Sequence, residues 1–209
     1  MLDRGCVFST FGIQQLSHIL KEKPLLDVSM SDVDGTCEYV LDPDDPETWG
    51  GEEDDECYVA RDLLNDEGHW TCPHEAQDDR DLCLFHSQVD QKSDSEVVTA
   101  FRERIQEANS AESLETNRIL QFLGARFGKF DMSTEPLEIV DSDVDLDFSH
   151  CTFEGPTNWA ESTPGVTTIR FRGTTFLENA DFSAATFSGD TAFGYAEFVG
   201  ETVFDQAAF

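Results

Sequence analysis

Basic residues are scarce in this chain. Its 209 residues include 13 Lys and Arg against 44 Asp and Glu, which gives a formal net charge of −31. Proteins that bind nucleic acid directly neutralise its phosphates with clustered Lys and Arg, so the composition argues against a direct nucleic-acid ligand. Such a surface repels itself in dilute buffer and is tolerated where salt screens the charges. We therefore expect a halophilic protein from a high-salt cytoplasm.

Long hydrophobic runs are also missing. No stretch approaches the roughly 20 apolar residues of a membrane span. Residues 1–20 lack the charged start and small-residue cleavage site of a secretory signal. These absences predict a cytoplasmic protein with no membrane span in this chain. Cysteines in that compartment serve as metal ligands or buried thiols before they form disulfides. The chain has six: Cys6, Cys37, Cys57, Cys72, Cys83 and Cys151.

The C-terminal region carries a phenylalanine at every fifth or sixth position. Neither the helical nor the strand period produces this spacing, whereas a short fixed period is typical of a solenoid. The residue two before each Phe is uncharged and mostly small, and it faces the same side of an extended segment. Each face of a coil would then send one Phe and one such partner inward. The Phe residues are Phe171, Phe176, Phe182, Phe187, Phe193, Phe198, Phe204 and Phe209, and their partners are Ile169, Thr174, Ala180, Ala185, Thr191, Ala196, Thr202 and Ala207.

The segments AATFSG, GYAEFVG and DQAAF resemble the repeat of the pentapeptide-repeat family. In that repeat a small residue, a polar residue and a central Leu or Phe are followed by two polar residues. The resemblance covers at least residues 166–209. It implies a mainly β fold, a right-handed quadrilateral β-helix with four faces per coil. An ordinary antiparallel β-domain with Phe-rich strands is the alternative.

The same ladder begins before the clean repeats. Two earlier Phe pairs keep the five-residue spacing, and residues 155–166 then break it and are expected to leave the coil as an excursion. His150 is expected to point outward with no partner, and Cys151 to point into the core. The early pairs are Phe122 with Phe127 and Phe148 with Phe153, and their inward partners are Leu120, Ala125, Leu146 and Cys151.

Cysteine and histidine cluster in the segment WTCPHEAQDDRDLCLFH. Cys72, Cys83 and His86 supply three soft ligands in a C-x10-C-x2-H spacing. A tetrahedral structural zinc needs a fourth ligand. Cys37, upstream in GTCEY, is one source, and Cys57 and His74 compete with it. Unliganded thiols and a redox disulfide are the alternatives to a metal site.

The spacing of Cys72, Ala76, Cys83 and His86 is similar to a small zinc-binding motif, C-x-x-x-A followed by C-x-x-H. That resemblance implies Cys37 as the first ligand, with residues 40–69 as an enlarged loop. The segments CEY, CPH and FH also resemble the head of pentapeptide-repeat proteins from salt-loving archaea. Four protein ligands leave no open position for a water, so the zinc would be structural.

A helix is expected between the cluster and the ladder. Ser93 and Glu96 have the spacing of a capping box. Val97, Phe101, Ile105 and Ala108 share one helical face, which would cover the N-terminal end of the β-helix. The expected organisation has four parts: an N-terminal extension (1–29), a small zinc-binding head with an acidic loop (30–92), a helical linker or cap (93–118) and a pentapeptide-repeat β-helix (119–209), incomplete at its C-terminus.

The leading functional hypothesis is a non-catalytic scaffold that binds an unidentified protein partner. No nucleophile, base and orienting acid can be assembled from the sequence, and no phosphate-binding Gly-rich loop is present, so an enzyme is not expected. The family resemblance implies two alternatives. One is a DNA-mimicking protein that binds gyrase, which a supercoiling assay would test. The other is the cytoplasmic head of a longer, ion-channel-like membrane protein, which the downstream reading frame would test.

Two expectations concern the ends of the chain. Phe209 occupies an inward position at the last residue, so the open coil is expected either to continue in a longer chain or to pair with a second copy as a homodimer. Residues 1–29 are expected to be either a docked helix or an extension from a misassigned start codon. Peptide mapping of the native protein would separate those two.

Overall fold

A computed structural model describes residues 35–110, 120–135 and 137–209. They belong to the unit Asp34–Phe209, and the expectations for residues 1–29 lie outside them. The first part of the described chain, residues 35–92, is called the head. It contains the antiparallel strands β1 (Val40–Leu41) and β2 (Trp70–Thr71) and the 3-10 turns Pro46–Thr48, Arg61–Leu63 and Val89–Gln91. No helix of the described residues is long and apolar enough to cross a membrane.

Helix α1 (Asp94–Ser110) follows the head, as predicted. The Glu96 amide N–H donates to the Ser93 hydroxyl, and the Ser93 amide N–H donates to the Glu96 carboxylate, which is the predicted capping box. The four predicted apolar residues of one face are buried. Phe101 lies 5.3 Å from Phe122 and 5.8 Å from Phe148 between ring centroids. The helix therefore covers the first coil of the domain that follows.

Residues 120–209 form a β-solenoid of about three turns, built from parallel strands. Most strands are two residues long, because each face of a coil holds only five or six residues before the chain turns a corner. The strands are β3 (Arg126–Phe127), β4 (Phe130–Asp131), β5 (Glu138–Asp147), β6 (Thr152–Phe153), β7 (Thr157–Asn158), β8 (Thr163–Arg170), β9 (Thr175–Phe176), β10 (Ala180–Asp181), β11 (Asp190–Ala192), β12 (Glu197–Phe198) and β13 (Thr202–Val203).

Equivalent faces of successive coils stack into parallel sheets. The sheets are β3-β6-β9-β12, β4-β7-β10-β13 and β5-β8-β11. Outside these three sheets, Thr186 and Ala208 of successive coils pair in an isolated parallel bridge. The strand register pairs Phe127 with Phe153 and Phe153 with Phe176, so one coil takes 26 residues and the next takes 23. The predicted mainly β solenoid with a preceding head and helix is confirmed.

The interior is filled by columns of stacked phenylalanine rings. Phe127, Phe153, Phe176 and Phe198 stack with centroids 4.7, 4.9 and 4.8 Å apart. These distances equal the usual separation of neighbouring strands, about 4.7–4.9 Å, because each ring sits one strand above the last. Phe148 and Phe171 belong to a second such column. The predicted inward positions are therefore confirmed through Phe187, whereas Phe204 and Phe209 are 39 % and 70 % exposed.

The expected excursion at residues 155–166 is wrong. Strand β7 lies in this segment and pairs with β4 on one side and β10 on the other. Trp159 is fully buried, and its backbone pairs with Asp181, next to the Phe182 position of the following coil. A Trp there fills the interior that the regular ladder fills with Phe. The Phe spacing fails locally because a different aromatic residue takes the inward place, and the chain does not leave the coil.

Candidate metal centre

Four side chains meet inside the head. The Sγ atoms of Cys37, Cys72 and Cys83 and a ring nitrogen of His86 all lie within 4.8 Å of one another, and all four residues are buried. Strand pairing explains how residues so distant in sequence meet. Val40 pairs with Thr71, so the residues just before β1 and just after β2 are neighbours. The tight turn that follows Cys83, in which the His86 amide donates to the Cys83 carbonyl, adds the remaining two.

The distances fit a four-coordinate ion. Cys72 Sγ and Cys83 Sγ are 3.8 Å apart, and His86 Nδ1 is 3.7 Å from Cys37 Sγ and 3.2 Å from Cys83 Sγ. Zn–S bonds of about 2.3 Å and Zn–N bonds of about 2.0–2.1 Å put the corners of a tetrahedron roughly 3.5–3.8 Å apart. The buried group Cys37, Cys72, Cys83 and His86 could therefore hold a metal ion.

The buried thiols differ in how readily they ionise. Hydrogen bonds from Cys72 and Cys83 lower the pKa of Cys37, and the Cys83 amide N–H also donates to Cys37 Sγ at 3.2 Å. Burial raises the pKa of Cys72, which is the expected response of a thiol held next to other thiols. The described cysteines are free of disulfides. A cation in the middle of this group would compensate the charge that burial otherwise opposes.

The imidazole of His86 is oriented by contacts outside the group. Its Nε2 lies 2.9 Å from the Leu123 carbonyl, which can only accept, so Nε2 carries a proton and Nδ1 is the ring nitrogen that faces the thiols. Tyr39 stacks on the ring with centroids 3.9 Å apart. Gly124 makes room for Tyr39, since a Cβ there would lie 1.9 Å from its hydroxyl oxygen. The solenoid therefore positions a ligand of the head.

A second link joins the head to the first coil. The Lys92 ammonium donates to the carbonyls of Leu84, Phe85 and Arg126, at 2.8, 3.0 and 2.5 Å. Leu84 and Phe85 lie between Cys83 and His86, whereas Arg126 is in β3. Burial lowers the pKa of Lys92 to about 8. The turn that carries Cys83 and His86 is therefore joined to the solenoid twice, through the hydrogen bond from His86 to Leu123 and through Lys92.

His74 and Cys57, the alternative candidates for the fourth ligand, lie outside this group. His74 is buried, with Nε2 3.0 Å from the Gln121 carbonyl, and its ring stacks on Phe122. Burial lowers the pKa of His74 to about 4, so the ring is neutral. Cys57 Sγ lies 3.6 Å from His150 Nε2. Cys151 is a core residue, as expected, and its thiol donates to the Phe122 carbonyl at 2.8 Å.

The expectation that His150 points outward without a partner is wrong. The residue is 5 % exposed, and its Nε2 accepts a hydrogen bond from the Tyr58 amide at 2.8 Å. Trp49 packs against the ring with centroids 4.6 Å apart. The acidic loop, residues 42–69, has folded back onto a corner of the solenoid. Sequence reasoning missed this contact because it joins residues almost 100 positions apart and has no local signal.

The candidate centre is closed. All four donors come from the protein and all are buried, so a four-coordinate ion here would have no position left for a water. Such a site stabilises a fold and offers no place for a reacting water. Comparison with protein-family models, curated proteins and solved structures gives no match for this chain.

Proposed function

We propose that this chain is a non-catalytic, cytoplasmic protein-interaction scaffold in which a structural zinc fastens the head to a pentapeptide-repeat β-solenoid. One observation carries the proposal. His86 belongs to the four-donor group through Nδ1, and its Nε2 is bonded to the Leu123 carbonyl of the solenoid. A metal held by His86 therefore stabilises two parts of the protein at once.

The donor set favours zinc over other divalent ions. Three thiolates and one imidazole in a buried tetrahedron are typical of structural zinc, whereas calcium and magnesium prefer oxygen ligands. The head also needs such support. Its loop is rich in Asp and Glu and contributes few buried apolar side chains, so metal binding would supply folding free energy that a small core lacks.

The scaffold role is supported by what the solenoid presents to solvent. Its interior is filled with aromatic rings, and its outer surface consists mainly of short polar and acidic side chains on rigid, stacked faces. Rigid solenoid surfaces are used repeatedly in protein recognition. The five- and six-residue faces, with one Phe and one small residue inward, support membership of the pentapeptide-repeat family. The acidic, Lys-poor composition supports a high-salt cytoplasm.

Metal analysis tests the proposal. Protein purified in molar KCl should contain about one zinc per chain, and removing the zinc should lower the melting temperature of the whole solenoid. Cys83→Ser should lose the metal. Cys57→Ser and His74→Gln are the controls and should retain it, because neither side chain belongs to the group.

Freshly folded protein without metal would refute the zinc assignment. Loss of zinc in either control would show that the ligand set is different. If zinc is present but its removal leaves the solenoid melting unchanged, the metal does not connect the two parts.

A further inference from the structure

The acidic loop lies on one corner of the solenoid without becoming part of its sheets. Within the described residues, no backbone-to-backbone hydrogen bond joins this loop to a coil. Side chains hold it there instead. His150 accepts a hydrogen bond from the Tyr58 amide at 2.8 Å and packs against the Trp49 ring. A segment held by side-chain contacts can open locally while the coils beneath it stay paired.

Two features oppose the closed position of the loop. Trp49 is 8 % exposed, and its indole N–H has no hydrogen-bond acceptor in the described part of the chain. A buried donor without an acceptor costs free energy. Acidic side chains from residues 52–56 also line the same cleft, of about 510 Å³, as Glu197 of the solenoid, and like charges repel. The closed position therefore depends on contacts that offset both terms.

Tyr39 provides such a contact at the start of the loop. Its hydroxyl donates to the Thr48 carbonyl at 2.6 Å. The Thr48 hydroxyl in turn donates to the Asp42 carbonyl at 3.0 Å, which closes the turn that leads into Trp49. Trp49 is the next residue and is the one that packs on His150. The position of Tyr39 therefore influences where the loop meets the solenoid.

Three of the four candidate metal ligands fix Tyr39. Cys37 is only two residues before it in the chain. The Cys72 amide N–H donates to the Tyr39 carbonyl at 3.1 Å, and the His86 ring stacks on the Tyr39 ring with centroids 3.9 Å apart. A metal ion restricts the side chains that bind it and, through them, the residues they touch. Loss of the ion would release the backbone and the ring of Tyr39 together.

We propose that Tyr39 couples the candidate metal centre to the acidic loop, so that the loop is closed on the solenoid when the metal is bound and opens when the metal is lost. Opening uncovers the outer side of the coils at Thr152, Gly173 and Thr175, which line the cleft beside the loop. The inference rests on the proposed structural metal and adds a regulatory role to it. The metal then decides whether this part of the scaffold is accessible to a partner.

Hydrogen exchange tests the coupling between metal and loop. Zinc-loaded and chelator-treated protein are compared at one salt concentration and well below the melting transition of both. The Tyr58 amide, which donates to His150, reports on the loop. The Thr175 amide, which donates to the Cys151 carbonyl at 2.9 Å, reports on the coils. Removing zinc should speed exchange at Tyr58 at least about tenfold and change exchange at Thr175 much less.

Alkylation of Cys57 in zinc-loaded protein tests the role of Tyr39. Cys57 is half-buried where the loop meets the solenoid, so opening exposes its thiol. Tyr39→Phe keeps the ring and removes one hydrogen bond, and Cys57 should then be alkylated about 3- to 10-fold faster. Gln121→Met is the matched control, because it removes a different bond between head and solenoid, donated by the Trp70 indole at 2.8 Å. It should leave the rate unchanged. Cys151, 1 % exposed, should stay unlabelled throughout.

Several results would overturn the inference. Equal acceleration of exchange at Tyr58 and Thr175 would mean that metal loss loosens the whole chain and that the loop does not open separately. An unchanged Cys57 rate in Tyr39→Phe, or the same increase in Gln121→Met, would show that Tyr39 is not the connection. Zinc content is measured on the same samples. These results in folded, zinc-loaded protein refute this inference alone, whereas freshly folded protein without zinc refutes the proposed function and this inference together.

Discussion

Replacing Phe153 by Ala should destabilise the solenoid severely. The ring is fully buried and stacks between Phe127 and Phe176, with centroids 4.7 and 4.9 Å away. It also lies 5.6 Å from Phe130, at a steep angle. Truncation removes contacts above, below and beside the ring, and the neighbouring rings are fixed by strand pairing and cannot collapse into the space. A buried Phe→Ala change of this kind costs about 3–5 kcal/mol.

Phe204→Ala is the matched control, because Phe204 occupies an equivalent inward position but is 39 % exposed. Its one parallel partner is Phe182, 4.9 Å away. Less apolar surface is lost, so the cost should be about 1–2 kcal/mol. Equilibrium unfolding in urea at constant high salt measures both values, since urea leaves the ionic strength unchanged. For a domain of this size the Phe153 variant should melt roughly 6–20 °C lower.

Equal costs for the two variants would refute this reasoning. They would mean that the columns of rings do not carry the stability of the fold. A change in the urea slope for Phe153→Ala, without a lower midpoint, would instead indicate that the solenoid no longer unfolds as a unit.

Three further predictions follow from other parts of the chain. Ala185→Glu should prevent folding of the solenoid, as followed by circular dichroism, because Ala185 is fully buried and the new carboxylate would have no partner there. Ala208→Glu is the control and should fold, because Ala208 is exposed. Ser93→Ala should cost about 1 kcal/mol in urea unfolding through loss of the helix cap, and an unchanged midpoint would show that α1 does not depend on it. Burial lowers the pKa of His150 from 6.5 to about 4 in the folded protein. As the pH falls, the unfolded chain therefore takes up a proton on His150 before the folded protein does. The free energy of unfolding that this residue contributes is fully present above pH 6.5 and is lost as the pH falls toward 4. The stability advantage of the natural chain over His150→Asn should therefore shrink by about 2 kcal/mol between pH 7 and pH 5, and a constant difference would show that His150 is not held neutral.

The coils could be predicted from the sequence because their signal is local and repeated. A Phe with a small residue two positions earlier predicts an inward pair, as at Phe176 with Thr174 and at Phe182 with Ala180. The signal fails at Trp159, where the inward residue is neither Phe nor Leu. Periodicity identifies a position only while the residue type is constant, so a Trp in the same place looked like a break.

The candidate metal centre could be predicted only in part. Cys72, Cys83 and His86 have a ligand spacing that can be read directly, but Cys37 is separated from them by the whole acidic loop. The choice of Cys37 over Cys57 and His74 rested on a resemblance. Those two residues differ from Cys37 only in what they meet in space, His150 for one and the Gln121 carbonyl for the other. The contact of the acidic loop with the solenoid places Cys57, and the contact with Gln121 places His74; no local sequence pattern encodes either contact.

The hydrogen bond from His86 to the Leu123 carbonyl has a consequence for the order of folding. Each coil pairs only with the coil before and after it, so a new coil needs one finished coil as a template. The head, α1 and the first coil are held together by these contacts and are synthesised before the later coils. They can provide that template while the rest of the chain is still being made. Growth of the solenoid can then follow the direction of synthesis, one stacked layer at a time.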